Sequence, residues 1–249
     1  MTSPQLPTPY APGMLLALFQ RPALFLSASD PYLKGPDLLP DPEARALNEV
    51  YYQTRQPARI RDAVGHVCRF AFTRGIQLIF GGHPAISPLV LHAARRLRAT
   101  GQDDKLVVVF QSLVFFARIP PETLDLADWT HGTLLWTASR PATGTSTARD
   151  ASLTWMRQVM VQSPNLVGAV FIGGMDGVEE EAALFRAYNP GPMFAIGSTG
   201  SAADVLLDRR DDVTGRSMTK QALRQTLSYP LVMEQIFADL DLLGDAQRR

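Results

Sequence analysis

The residues best suited to chemistry sit in one stretch, FIGGMDGVEEEAALF, residues 171–185. An apolar run ends in Gly173 and Gly174, passes Met175, Asp176 and Gly177, and restarts as a helix from residue 178 led by Glu179, Glu180 and Glu181. Acids in a first helical turn complement the helix dipole, so capping is one role open to them. Successive side chains on a helix point about 100° apart, so at most one or two of the three can face one crevice. A carboxylate there repels phosphate, yet it accepts hydrogen bonds from ribose hydroxyls and can stabilise a cationic sugar transition state. Glycine lets the backbone approach a ligand closely and adopt positive φ.

Similar small, hydroxylated or glycine-rich turns recur: Ser27-Ala28-Ser29, Gly81-Gly82-His83 through Ser87, Phe110–Ser112 and Gly197-Ser198-Thr199-Gly200. Free amides and hydroxyls at helix N-termini suit phosphate or ribose. Ser27, Ala28, Ser29, Gly81, Gly82, His83, Ser87, Gly173, Gly174, Met175, Asp176, Gly177, Ser198, Thr199 and Gly200 are therefore the expected nucleotide-binding set. His83 follows the double glycine and reads as a base, a phosphate contact or a loop residue ahead of Pro84. His66 and His92 fall mid-helix, where packing or surface roles are expected, and His131 lies in an unassigned loop. No His and acid spacing suits a metal, and no cofactor is expected. Ser27, Ser29 and Ser198 have no His–Asp pair in view, and no G-x-S-x-G elbow occurs. Neither G-x-G-x-x-G nor a Walker A loop is present, which argues against standard nicotinamide redox chemistry and P-loop hydrolysis.

These turns need elements to carry them. Apolar, strand-like runs at 23–29, 76–82, 105–112, 132–139, 166–174 and 192–200 alternate with helical patterns at 57–74, 87–101, 149–163, from 178 and from Ser201. Ile60, Val64, Val67 and Phe70 mark a helical stripe in the first, and Ser87, Pro88 and Gly101 read as N-cap, first helical residue and terminator of the second. A last helical stretch covers 218–242. Nearly all-apolar strands alternating with helices predict an α/β, Rossmann-like, doubly wound parallel sheet covered on both faces. Ligands then bind beyond the strands' carboxyl ends, where strand order reverses. The expected organisation is a proline-rich arm over 1–22, a nucleotide-binding domain over 23–210, and a C-terminal helical extension of the same domain over 211–249.

Twenty-four basic and 24 acidic side chains balance, which argues against a protein that mainly coats nucleic acid or anionic membrane. The lone cysteine, Cys68, sits in an apolar-periodic stretch and reads as a buried structural thiol. MLLALF (14–19) is too short for a signal segment, and no apolar run approaches the ~20 residues of a spanning helix, so a cytoplasmic location is expected.

The sequence resembles the SLOG superfamily, the Rossmann-like group that includes DprA/Smf DNA-processing proteins and lysine-decarboxylase-like nucleotide phosphoribohydrolases. IFGGHPAISPLVLHAA looks like the group's second strand–turn–helix, with His83 in place of a further glycine. VFIGGMDGVEEE looks like the phosphoribohydrolase motif P-G-G-x-G-T-x-x-E. The resemblance implies Gly173 and Gly174 as the motif glycines, Glu180 as the acid, and Arg157 in MRQVM as the preceding helix's arginine. A one-residue insertion would shift the acid to Glu181. Ile172 replaces the motif's proline and Asp176–Gly177 its Gly–Thr, departures that bear on cleavage and leave the pocket in place. The style of the turns is closest to prokaryotic SLOG branches associated with TIR or Sir2 effectors in antiviral conflict systems.

Three functions are expected from this. The first is a sensor binding a nucleotide-derived molecule of the ADP-ribose or cyclic ADP-ribose kind. It would self-associate through an apolar C-terminal face (Leu223, Leu227, Leu231, Val232, Ile236, Phe237) and act on a separate TIR or Sir2 effector. The second is a nucleotide N-glycosidase or phosphoribohydrolase using Arg157 with Glu180 or Glu181. The third is single-stranded DNA binding, for which RRLR (95–98) is the candidate face and which the neutral charge disfavours.

Overall fold

A computed structural model of the chain describes residues 8–10, 12–99, 106–128, 132–144 and 146–247. His131, Gly101 and Lys105 lie outside the described residues. In chain order the elements are α1 (Pro12–Leu18), β1 (Ala23–Ser29), α2 (Pro42–Thr54), α3 (Pro57–Thr73), β2 (Gln77–Phe80), α4 (Ser87–Arg98), β3 (Val107–Ser112), a 3-10 helix (Leu113–Arg118), α5 (Pro121–Asp128), β4 (Gly132–Thr137), α6 (Ala148–Val161), β5 (Leu166–Gly173), α7 (Asp176–Tyr188), β6 (Met193–Ile196), α8 (Ser201–Arg209), α9 (Lys220–Gln225) and α10 (Tyr229–Gln247). A second, three-residue 3-10 turn, Gly197–Thr199, lies between β6 and α8.

Every residue of β2, β3 and β6 is buried, as strands covered on both faces require. All pairings are parallel and the sheet order is β4-β3-β2-β1-β5-β6. Order therefore runs one way from β1 to β4 and reverses at the β1/β5 boundary, which makes that boundary the ligand crevice of this topology. Right-handed crossovers place α3 and α4 on one face, packed together, and α6 and α7, also packed together, on the other. The described part of the N-terminal arm packs on this body: Phe19 is buried, and the Tyr10 N–H donates to the Trp136 carbonyl.

Two local expectations are corrected and one element is new. Helix α2 lies in a segment to which the sequence assigns no element; Asp41 caps it by accepting from the Glu43 and Ala44 amides, and it buries only Asn48 and Tyr51, too few for an apolar stripe. Ser87 is not an N-cap, since the cap position is Ile86; the Ser87 hydroxyl is buried against the Thr123 hydroxyl at 2.7 Å. The single helix read over 218–242 is two, because Pro230 has no amide to donate and fits only a first turn, here that of α10.

Candidate functional site

A cleft of about 520 Å³ opens at the crevice. Its lining comes from the ends of β1 (Ala28, Ser29), β2 (Gly81 to Pro84) and β3 (Gln111), from the segment after β1 (Tyr32, Lys34), from α6, and from the start of α7 (Met175 to Val178, Glu180, Glu181).

The floor is a carboxylate–guanidinium cluster. Arg157 comes off α6 between the two glutamates of α7: its Nη1 donates to Glu180 Oε2, and its Nε to Glu181 Oε1 at 3.3 Å. The Thr154 hydroxyl, one turn earlier on α6, donates to Glu180 Oε1 at 2.6 Å, and the Ser27 hydroxyl at the end of β1 donates to Glu181 Oε2 at 2.5 Å. Glu181 is the deeper acid, its side chain 14 % exposed against 34 % for Glu180. Burial pushes the Glu181 carboxyl above its usual range, even though the Arg157 charge and the Ser27 and Arg157 hydrogen bonds pull the other way. With both acids ionised, two negative charges share one guanidinium.

Glu179 belongs to a different face. It accepts from the Tyr51 hydroxyl and pairs with Arg209 Nη1 at 2.5 Å, tying α7 to α2 and α8. The 100° step per residue thus sends Glu179 into the scaffold and both its successors into the cleft. Helix α7 also begins two residues earlier than its sequence suggests, so Asp176 and Gly177 are helical; Asp176 pairs with Lys34 at 2.7 Å.

Gly177 is needed for room. A Cβ there would lie 2.4 Å from Arg157 Nη2, so only glycine lets the guanidinium lie across the start of α7. Gly82 takes φ +62°, and a Cβ on it would lie 2.4 Å from Gln111 Nε2. That amide instead donates to the Gly81 and Gly82 carbonyls at 2.9 and 3.1 Å, which fixes its orientation and locks the β2 turn to β3. His83 Nδ1 accepts from the Ala85 amide, so the neutral ring carries its proton on Nε2. Burial pushes this imidazole's pKa down to about 4.

Of the expected binding residues, Ala28, Ser29, Gly81, Gly82, His83, Met175, Asp176 and Gly177 line this cleft, as do Arg157, Glu180 and Glu181. Ser27, Ser87, Gly173, Gly174, Ser198, Thr199 and Gly200 do not. Ser27 stands behind Glu181 and Ser87 faces Thr123. Gly173 donates its amide to Thr199 Oγ1, and Gly174 accepts from the Ala202 amide. The 197–200 turn is buried: its Ser198 carbonyl accepts from Arg59 and its Ser198 hydroxyl faces Tyr229 Oη at 3.2 Å. Its chemistry is spent inside the scaffold.

Sequence reasoning passed over Tyr32, Lys34, Phe115, Arg118 and Arg149, all in the lining, and pointed to the turn of Gln111, also in the lining, without placing that residue in the binding set. A signal for Arg149 existed: Arg149, Leu153 and Arg157 are spaced i, i+4, i+8 and share one face of α6. Among the described residues no group of three His, Cys, Asp or Glu side chains could hold a metal ion. No helix among them is long and apolar enough to cross a membrane. Cys68 is buried, and burial pushes its thiol up to about 12. Arg95, Arg96 and Arg98 occupy the last turn of α4, where cations complement the helix dipole, and Arg95 pairs with Asp125 at 3.2 Å. Of the apolar C-terminal set, Leu223, Val232, Ile236 and Phe237 are buried in the chain's own core, while Leu227 and Leu231 are exposed.

The profile of the SLOG cluster3 family matches residues 50–235, well over half of the chain. Comparison with curated proteins finds no significant match. Among solved structures the chain is similar to the X-ray structure of TM1055, a structural-genomics target, at 15% identity and a TM-score of 0.49, with 87% of this chain and 99% of that chain covered.

Proposed function

The chain belongs to the SLOG cluster3 family, and from that premise and the cleft's geometry we propose that it binds a nucleotide-derived small molecule of the ADP-ribose or cyclic ADP-ribose kind and acts as its sensor. The observation that carries this reading is the pair Glu180 and Glu181 sharing Arg157 on the floor of a 520 Å³ cleft at the sheet's switch point. A vicinal ribose diol offers two donors to the second lone pairs of these carboxylate oxygens, and the guanidinium keeps those oxygens aimed. Leu153, Met156 and Phe115 supply apolar surface for a base.

A second reading, cleavage of an N-glycosidic bond, is favoured by Glu181, whose buried carboxyl holds a proton above the usual carboxylate range. In that reaction the C1′–N bond breaks with its electron pair leaving on the base, which takes up the proton given by the Glu181 carboxyl. Water adds to C1′ as it loses a proton to a Glu180 oxygen, and the carboxylate stabilises the oxocarbenium-like sugar.

Incubation with AMP, ADP-ribose, NAD and cyclic ADP-ribose tests both readings. The sensor reading expects ligand-dependent thermal stabilisation with no product. Release of base or ribose phosphate, abolished by Glu180→Gln or Glu181→Gln, converts the assignment to the hydrolase. No shift with any of the four overturns both.

A further inference from the structure

We propose that the cleft holds a separate anion subsite, built from Arg118 and Arg149 around Phe115, which takes the phosphate or diphosphate of the ligand and keeps it away from the glycine turn of α7. The inference deepens the nucleotide reading above and rests on it for the identity of the full ligand, though not for the subsite's affinity for phosphate.

The first argument is the charge of the α7 end. Asp176, Glu180 and Glu181 line it, against Lys34 and Arg157. With Glu181 ionised, three carboxylates facing two cations leave one negative charge in excess, and with it protonated the charges balance; in neither state does the helix N-terminus carry the net positive charge that would attract an anion. A phosphate placed there would meet Asp176 in the first turn of α7. The other end of the cleft has the opposite balance, with Arg118 and Arg149 lining it against Asp150 alone. Asp150 is also engaged locally: its amide donates to the Thr147 hydroxyl, which donates in turn to the Asp150 carboxylate at 2.7 Å, closing the N-cap of α6.

The second argument is the placement of Arg149. It is the second residue of α6, where the helix dipole disfavours a cation, and no carboxylate partner compensates it among the described residues. Its guanidinium lies over the Phe115 ring, 5.7 Å from the centroid. Phe115 and Arg118 are three residues apart on a 3-10 helix, a spacing that eclipses them on one face. Arg118, Phe115 and Arg149 thus converge from two elements on one side of the cleft. A guanidinium resting on an aromatic face keeps its N–H edge free for bidentate contact with phosphate oxygens.

The third argument is length. Arg149 precedes Arg157 by eight residues on one helix face, which separates their backbones by about 12 Å. A ligand engaging both ends therefore carries its anionic group roughly a nucleotide's length from the sugar held by the carboxylates. An unphosphorylated nucleoside leaves the arginine end unused, and inorganic phosphate uses only that end.

Calorimetric titration of the full chain with adenosine, AMP, ADP-ribose and inorganic pyrophosphate tests this in wild type and in Arg118→Gln, Arg149→Gln and the double variant. Both arginines are exposed, so the variants keep the fold. The expected result is a loss of about tenfold or more per substitution for AMP, ADP-ribose and pyrophosphate, with adenosine unchanged. Arg149→Lys restores only part of it, since a point charge lacks the planar fork. Pyrophosphate binding that vanishes in the double variant while no nucleoside compound binds supports the subsite and overturns the nucleotide reading. Unchanged affinity for phosphorylated ligands in the double variant overturns the subsite, and so does equal loss for adenosine and AMP. Failure of wild type to bind pyrophosphate or any phosphorylated compound overturns it as well.

Discussion

The turns after β5 and β6 look alike in sequence, GGMDG against GSTG, and belong to neighbouring strands that each lead into a helix. Their roles are opposite. Residues 175–178 open onto the cleft, where Gly177 leaves the space that the Arg157 guanidinium fills. Residues 197–200 are buried, and Thr199 Oγ1 receives the Gly173 amide while donating to the Ile196 carbonyl. The second turn is a brace for the first. Glycine and hydroxyl content marks a close approach, by the Arg157 side chain at Gly177 and by the Thr54 backbone at Gly200; sheet order decides whether the turn lines the cleft or sits inside the scaffold. β5 sits at the reversal of strand order, and β6 sits at the sheet edge.

Substitution separates the two turns. The largest effect is expected from Gly200→Ala. A Cβ there would lie 2.0 Å from the Thr54 carbonyl oxygen, at φ +72°, and neither backbone can yield cheaply. A stability loss of about 3 kcal/mol or more in denaturant unfolding is expected, or failure to fold. A loss under 1 kcal/mol would contradict the brace.

An intermediate effect comes from pH. The folded imidazole of His83 protonates only near about 4, whereas an unfolded histidine does so near 6.5. Between these values the unfolded chain binds the extra proton, so stability falls as pH drops through this window, by on the order of 3 kcal/mol at pH 4. Glu181 acts in the opposite sense: its raised carboxyl favours the folded state at low pH, and that contribution is lost as pH rises above the usual carboxylate range. His83→Gln should flatten the acid limb between pH 6.5 and 4 and leave the Glu181 component. An unchanged acid limb would remove His83 from this account.

The smallest effect on stability belongs to Gly177→Ala, the counterpart of Gly200→Ala. Its Cβ meets only the tip of a flexible arginine, and alanine suits a helix better than glycine, so unfolding free energy should change by less than about 1 kcal/mol. Ligand affinity should nonetheless fall, because the displaced guanidinium no longer aligns Glu180 and Glu181. Equal stability losses in Gly177→Ala and Gly200→Ala would erase the distinction between the turns.

The parallel α/β class was legible in the apolar runs, and Arg157 with Glu180 and Glu181 in a family motif that the fold brings into contact. The division of labour among Glu179, Glu180 and Glu181 was not, since it depends on which neighbours flank α7: Tyr51 and Arg209 on one side, Arg157 on the other. Helix α2 was hidden because its inner face is Asn48 and Tyr51 rather than an aliphatic stripe. Arg118 was invisible for another reason, because an exposed arginine on a helix looks the same whether it faces bulk water or a cleft; Arg149 had only its spacing from Arg157 to mark it.

Backbone amide NMR shifts on titration with ADP-ribose test the central claim most directly. The account predicts that the largest changes fall at Ser29, Gly82, His83 and Met175–Gly177, with Ser198–Gly200 moving little. The largest changes at Ser198–Gly200, or none at the β1 and β5 turns under saturating ligand, would contradict it.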